Sequence, residues 1–219
     1  MRLSDSKKQP LPFKLYVITD RKLFPDRESM LLHFKKLALG LRPGTLAVQV
    51  REKDLNLEEL LDLTVRIHEA IFPSKIFVNS RWDVALAANA DGVHLAESAD
   101  DPAYVANNYP KMIGVSCHSL ERLQSLAGIA HDNRVFATFS PIFETPSKLA
   151  YGAPQGISKL CQAARESPVP IVALGGIDFD TAPLLKGCKI GGIAAIRAIL
   201  KAEDPVYAAN KLLELAGLT

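Results

Sequence analysis

Eight short apolar runs, each followed by a helix-like segment, constrain this chain more than any other feature. They are LYVITD (15–20), TLAVQVRE (45–52), KIFVNS (75–80), GVHLA (92–96), MIGVSCH (112–118), VFATFS (135–140), VPIVALGGI (169–177) and a strand within KIGGIAAIRAIL (189–200). Near-continuous apolar runs are what strands covered on both faces require. Helices are expected between them. Segment 29–41 places Met30, Phe34, Leu37 and Leu41 on one face, and 55–72 is stopped by Pro73. RWDVALAANA reads as a short helix, and Asp100-Asp101-Pro102 begins one reaching about residue 108. Further helices are expected at 119–129, 157–166, 178–186 (capped by Asp178) and 204–218. Eight strand–helix alternations in one chain of this length predict an α/β fold, a single (β/α)8 TIM barrel over 14–219. Residues 1–13, polar with two prolines, are expected to be a flexible leader. A doubly wound sheet would carry a glycine fingerprint after its first strand, and LYVITDRKLF has none.

Composition narrows the partners. Hydrophobic residues make up 48% and charged residues 23%, enough apolar material for a large core and against disorder. Net charge is +2 with both signs spread along the chain and no basic block, which argues against nucleic acid. Cys117, Cys161 and Cys188 are widely spaced and odd in number. They suggest neither a zinc site nor a disulfide framework, and a reducing cytoplasm is expected. The first residues, MRLSDSKKQPLPFK, lack the apolar segment of a signal peptide, and no run is long enough to cross a membrane.

In a barrel of this kind chemistry sits where the strands end. Those ends carry Asp20 and Arg21, then Gln49, Arg51 and Lys53, then Asn79, Ser80 and Arg81, then His94 and Glu97. Ser116 and His118, Ser140, Gly175 and Gly176, and finally Ile196 and Arg197 complete the ring. Arg51, Lys53, Lys148 and Arg197 bring cations together, and phosphate or pyrophosphate is the usual small anion for such a site. Gly175-Gly176 and Gly191-Gly192 fit backbone amides approaching a phosphate. After the sixth strand a long polar loop with Glu144, Thr145, Ser147 and Lys148 is expected to close over an anion. Each feature also has a plain structural reading. Arg51-Glu52-Lys53-Asp54 reads equally as a solvated turn, Gly-Gly as a turn, and His94 as a packed histidine. His118, the last residue of its strand, is the candidate general acid–base group. Cys117 alternates with Ser116 and His118 and is expected to pack outward under a helix.

YVITDR, VQVREK, the Asn79-x-Arg81 step leading into WDVALAANADGVHL, IGVSCHS, SPIFETPSK, VALGGI and IAAIRAI together resemble the thiamine phosphate synthase and TenI superfamily. The resemblance runs from about residue 15 to residue 200, in order. It implies a barrel that binds thiazole phosphate and, in synthases, a pyrimidine pyrophosphate ionised with the help of Mg2+. Gln49, Arg51, Lys53, Asn79, Thr145, Ser147 and Lys148 match the pyrophosphate-binding positions. Gly175, Gly176, Ile196 and Arg197 match the thiazole-phosphate end, and His118 matches the histidine of TenI-like tautomerases.

The chain departs from the synthase pattern in three places. The two positions that usually hold metal-binding aspartates are Ser80 and Ala99, and Arg197 replaces a small residue. A hydroxyl and a methyl are poor substitutes for carboxylates around magnesium, so no metal site is assigned. Glu97 or Asp100 could supply an oxygen only after a shift. The first expectation is therefore a TenI-like thiazole tautomerase working by metal-independent proton transfer at His118, with no cofactor. The alternatives are a thiamine phosphate synthase using Mg2+ and a non-catalytic phosphate-binding regulator. Families of this kind often dimerise, so a homodimer is expected from the resemblance, with no membrane or nucleic-acid partner.

Overall fold

The computed structural model describes residues 8–130, 133–145 and 153–219. The strands are β1 (Leu15–Ile18), β2 (Leu46–Val50), β3 (Lys75–Asn79), β4 (Gly92–Leu95), β5 (Met112–Cys117), β6 (Val135–Phe139), β7 (Ile171–Leu174) and β8 (Gly192–Ala195). They pair in chain order into a closed barrel, each pair parallel. The ring shuts where Leu15 and Tyr16 of β1 lie beside Ile193 and Ala194 of β8. Closure leaves no open sheet edge. The expected (β/α)8 barrel is the observed one.

Strand alternation sorts the core into two compartments. Leu15 and Val17, Leu46, Val48 and Val50, and Cys117 face outward into the layer beneath the helices. Tyr16 and Ile18, Ala47, Phe77, Phe136, Val172 and Ala194 face the barrel axis, together with Leu11 and Phe13. Phe13 stacks on Tyr16 at 5.4 Å and meets Phe77 and Phe136 edge-on, closing the N-terminal end of the barrel. Leu11 and Phe13 are buried, so the barrel's packing starts inside the segment expected to be a leader. Burying a phenyl ring outweighs the polar character of its neighbours.

The helices are α1 (Arg27–Gly40), α2 (Leu57–Ile71), α3 (Trp82–Ala87), α4 (Pro102–Asn108), α5 (Leu120–Gln124), α6 (Gly156–Glu166), α7 (Arg197–Leu200) and α8 (Pro205–Ala216). α2 starts with a reciprocal cap in which Asn56 accepts from the Glu59 amide and the Glu59 carboxylate accepts from the Asn56 amide. Its buried stripe is Leu60, Leu63, Thr64, Ile67 and Ile71. Asp204 caps α8 ahead of Pro205, and Gly217 ends it at φ 72°.

Two expected helices are cut short. The one at 119–129 becomes α5 plus a 3-10 turn (Ser125–Ile129), where Ser125 Oγ donates to the Arg122 carbonyl and competes with the helical ladder. The one at 178–186 is only a 3-10 turn (Ala182–Leu185). Asp178 accepts from the Asp180 and Thr181 amides in a local turn, and Pro183 has no amide to continue a helix.

The cysteines need a correction. Cys161 on α6 and Cys188 before β8 form a disulfide with Cα atoms 4.7 Å apart, although no disulfide was expected. Their separation of 27 residues conceals that α6 and the approach to β8 are neighbours in space. Cys117 is free and buried, and burial pushes its thiol up to about 12. Among the described residues no helix is long and apolar enough to cross a membrane.

Candidate active site

The floor of the site is a polar chain laid on the aromatic layer. Gln49 Nε2 donates to the Tyr16 hydroxyl at 3.2 Å, and that hydroxyl lies 3.2 Å from His94 Nδ1. His94 Nε2 lies 3.1 Å from Ser116 Oγ and 3.4 Å from Thr138 Oγ1. All these side chains project inward from β1, β2, β4, β5 and β6. Gly114 makes room for the imidazole, since a Cβ there would come within 2.4 Å of His94 Nδ1. Burial first, and the charge of Arg51 second, lower the His94 pKa to about 3. His94 is therefore a neutral, packed histidine.

Above this floor, Arg51 and Lys53 are exposed at the end of β2. Neither forms an ion pair with any described residue, whereas nearby Arg21 and Lys22 both engage Asp54. The Arg51 amide donates to Thr19 Oγ1 at 2.9 Å, which ties the β2 end to β1. Glu52, read in the sequence as one member of a solvated charge run, is 6% exposed. Its carboxylate accepts the Arg21 amide at 3.0 Å, and burial raises its pKa. The sequence did carry the signal: Val48, Val50 and Glu52 share the strand face directed away from the axis.

Asn79 ends β3, and its Nδ2 donates to Ser80 Oγ at 3.1 Å. Ser80 adopts φ 60°, and its amide donates to the His94 carbonyl. Ala99 packs its methyl against the outer core. Asp100 accepts from Trp82 Nε1, and Asp101 caps α4. Among the described residues no three His, Cys, Asp or Glu side chains gather where they could hold a metal ion. The residues present at the two expected ligand positions do not fit magnesium, which prefers carboxylate oxygens in near-octahedral geometry.

His118 follows β5. Its Nδ1 lies 2.6 Å from the Ser140 carbonyl and 3.2 Å from Ser140 Oγ. Donation from Nδ1 to the carbonyl leaves Nε2 on the side of Glu97, whose Oε2 is 3.8 Å away. Gln155, just ahead of α6, donates to the His118 carbonyl at 3.0 Å. The β6 loop continues through Glu144, exposed, and Thr145, half-buried. Ser147 and Lys148 lie outside the described residues.

Gly175 and Gly176 follow β7 at φ 104° and 66°. The Gly175 carbonyl accepts from the Phe143 amide at 3.0 Å. A Cβ on Gly176 would approach the Glu144 carbonyl oxygen to 2.6 Å, so the glycines let the β6 loop lie against the β7 end. Ile196 and exposed Arg197 follow β8 and open α7. Gln49 lies within β2 and Asn79 ends β3, and the other described candidates follow the C-terminal ends of their strands.

A closed ring of eight parallel strands, with charged residues and glycines gathered at the strand ends, defines the TIM-barrel class. The family model described as "Thiamine monophosphate synthase" matches residues 15–199. The chain belongs to that family and is an enzyme of thiamine biosynthesis. A thiamine-phosphate synthase of Archaeoglobus fulgidus is 35% identical over 207 residues, covering 92% of each chain. A Geobacter sulfurreducens protein provisionally named thiamine-phosphate synthase is 40% identical, covering 93% of this chain and 94% of its own. The solved thiamine phosphate pyrophosphorylase of Pyrococcus furiosus superposes with a TM-score of 0.79 at 28% identity, over 94% of this chain and 96% of its own. Expectation and comparison agree on the family. The relatives' names favour the synthase over the tautomerase put first from sequence.

Proposed function

We propose that this chain is a thiamine phosphate synthase, joining a pyrimidine pyrophosphate to thiazole phosphate and releasing pyrophosphate. The observation that carries the reading is the pair Arg51 and Lys53, two cations at the barrel mouth without an ion-pair partner among the described residues. Arg51's charge is felt at His94, so it bears on the barrel interior as well as on solvent. In the reaction the bond between the pyrimidine methylene carbon and pyrophosphate oxygen breaks, and the thiazole nitrogen forms the new bond to that carbon. The departing oxygen gathers negative charge, and fixed cations stabilise it more in the transition state than in the ground state. Arg51 and Lys53 would take this role, with Gln49 and Asn79 beside them and Thr145, Ser147 and Lys148 from the β6 loop. Gly175, Gly176, Ile196 and Arg197 would receive the thiazole phosphate. No step is routed through magnesium, because Ser80 and Ala99 offer no carboxylate.

A second reading is supported by the His118 geometry. An imidazole anchored through Nδ1, with Nε2 3.8 Å from Glu97 Oε2, is a group that can carry a proton between two substrate atoms, as a thiazole tautomerase requires. One experiment separates the two. The purified chain is given pyrimidine pyrophosphate and thiazole phosphate, with added magnesium and again with chelator, and thiamine phosphate and pyrophosphate are quantified. Product in either arm supports the synthase. No product, combined with His118-dependent proton exchange on a thiazole carboxylate phosphate, replaces it with the tautomerase. Tight ligand binding with neither activity would leave a regulatory binder.

A further inference from the structure

The Cys161–Cys188 bond joins two parts of the fold that the backbone keeps 27 residues apart, and the chain between them contains all of β7 and the Gly175-Gly176 pair. Both cysteines are half-buried, whereas Cys117 is fully buried. A disulfide that a thiolate can reach is open to exchange, and one sealed in a core is not. Each side of the bond also leads to the barrel mouth. Cys161 lies in the second turn of α6, whose start is sewn to the end of β6. The Gly156 amide donates to the Ile142 carbonyl at 3.0 Å and the Gln155 amide to the Pro141 carbonyl at 2.8 Å. Gln155 Nε2 reaches the His118 carbonyl, and the Ile142 amide donates to the carbonyl of Leu174, the last residue of β7. On the other side, the Cys188 amide donates to the Leu185 carbonyl at 3.1 Å, and its sulfur lies 3.9 Å from the Ile157 carbonyl in the first turn of α6. That carbonyl is an acceptor for a thiol proton, so the reduced chain also has a place for Cys188.

We propose that the Cys161–Cys188 bond is a redox switch, opened and closed by thiol–disulfide exchange, that sets how firmly α6 holds the ends of β6 and β7 and, through them, the affinity for a phosphate ligand at the β7 glycines. A small dithiol opens it. One thiolate of the dithiol displaces a protein sulfur and forms a mixed disulfide, and its second sulfur then displaces the first. Two electrons and two protons pass to Cys161 and Cys188, which become thiols, and the dithiol leaves as a cyclic disulfide. Glutathione disulfide closes the switch and leaves as two molecules of glutathione. In the closed form α6 is already fixed at its second turn, so a ligand at the mouth loses less conformational entropy on binding. The identity of that ligand, thiazole phosphate, rests on the synthase reading; the exchange at the two cysteines does not.

The test compares the intact protein oxidised with glutathione disulfide, the same protein reduced with dithiothreitol, and the double variant Cys161→Ser, Cys188→Ser. Hydrogen exchange read by mass spectrometry is expected to be about fivefold faster over residues 153–160 in the reduced and variant forms, with β2 unchanged. Those two forms are expected to bind thiazole phosphate about fivefold more weakly in calorimetry, at the low end of ordinary coupling between sites. Reciprocity then makes the bond about fivefold harder to reduce, at equilibrium in dithiothreitol buffers, when thiazole phosphate is saturating. A merely structural cross-link would not respond to the ligand. If the variant fails to fold, the reduced wild type carries the comparison. A bond that glutathione disulfide does not form, or that dithiothreitol does not open in the folded protein, overturns the switch, as does equal exchange over residues 153–160. Equal affinities in all forms overturn its link to the site. If thiazole phosphate binds to none of the forms, the proposed function fails instead, and the exchange difference alone decides for or against the switch.

Discussion

Acidification tests the buried histidine directly. An ordinary histidine protonates near 6.5, whereas burial and the Arg51 charge hold folded His94 neutral until about pH 3. The folded pKa is depressed, so unfolded chains bind the extra proton first as pH falls. Stability is therefore intact above pH 6.5 and is lost progressively below it, down to about pH 3. At about 1.4 kcal/mol per pH unit, the descent from pH 7 to pH 5 removes about 2 kcal/mol through this one residue. Other groups titrate too. Glu52, with its raised pKa, contributes stability at low pH that is lost as pH rises, which opposes the histidine. The measurement is therefore a difference: urea unfolding of wild type and His94→Asn at half-unit intervals from pH 7 to pH 5. The wild-type free energy should fall about 2 kcal/mol further than the variant's over that range. Parallel curves would show that His94 titrates normally in the fold and would refute the buried neutral assignment.

Three further outcomes follow from the packing. Phe13→Ala should cost about 3–5 kcal/mol in chemical denaturation, the usual range for emptying a buried aromatic site; a loss under 1 kcal/mol would mean that Phe13 does not plug the barrel. Gly176→Ala forces a side chain into φ 66° and against the Glu144 carbonyl, so it should lower stability by more than about 1 kcal/mol and weaken thiazole phosphate binding; an unchanged melt and affinity would contradict the close loop contact. Unfolding without reductant should expose one reactive thiol, Cys117, in a colorimetric titration, and adding reductant first should expose Cys161 and Cys188 and lower stability by about 3 kcal/mol. Three thiols before reduction would exclude the bond.

The barrel could be read from the sequence because parallel strands covered on both faces have no polar alternation to blur them, and each of the eight runs became a strand. Phe13 was hidden because it stands among prolines and lysine, and only the closed ring creates the cavity it fills. The helix expected after β7 failed for a local reason, since Asp178 spends its carboxylate on a tight turn. At the site, the strand-end rule located Arg51, Asn79, His118 and Gly175 without further information. It missed that Glu52 is buried, and it left open whether His94 packs or reacts. Periodicity assigns a residue to a face, whereas its partners across the barrel come from other strands.

The seam between β1 and β8 also bears on how this protein is made. Tyr16 is synthesised long before its partner strand at Ala194. The first four strands already contain Tyr16, Gln49 and His94, so the lower half of the hydrogen-bond chain can assemble on a half-made sheet whose edge strands are still open. Contacts so distant in sequence are slow to form, and open edges are sticky while they wait. A ribosome-bound intermediate lacking β8 should therefore be the species most dependent on chaperones.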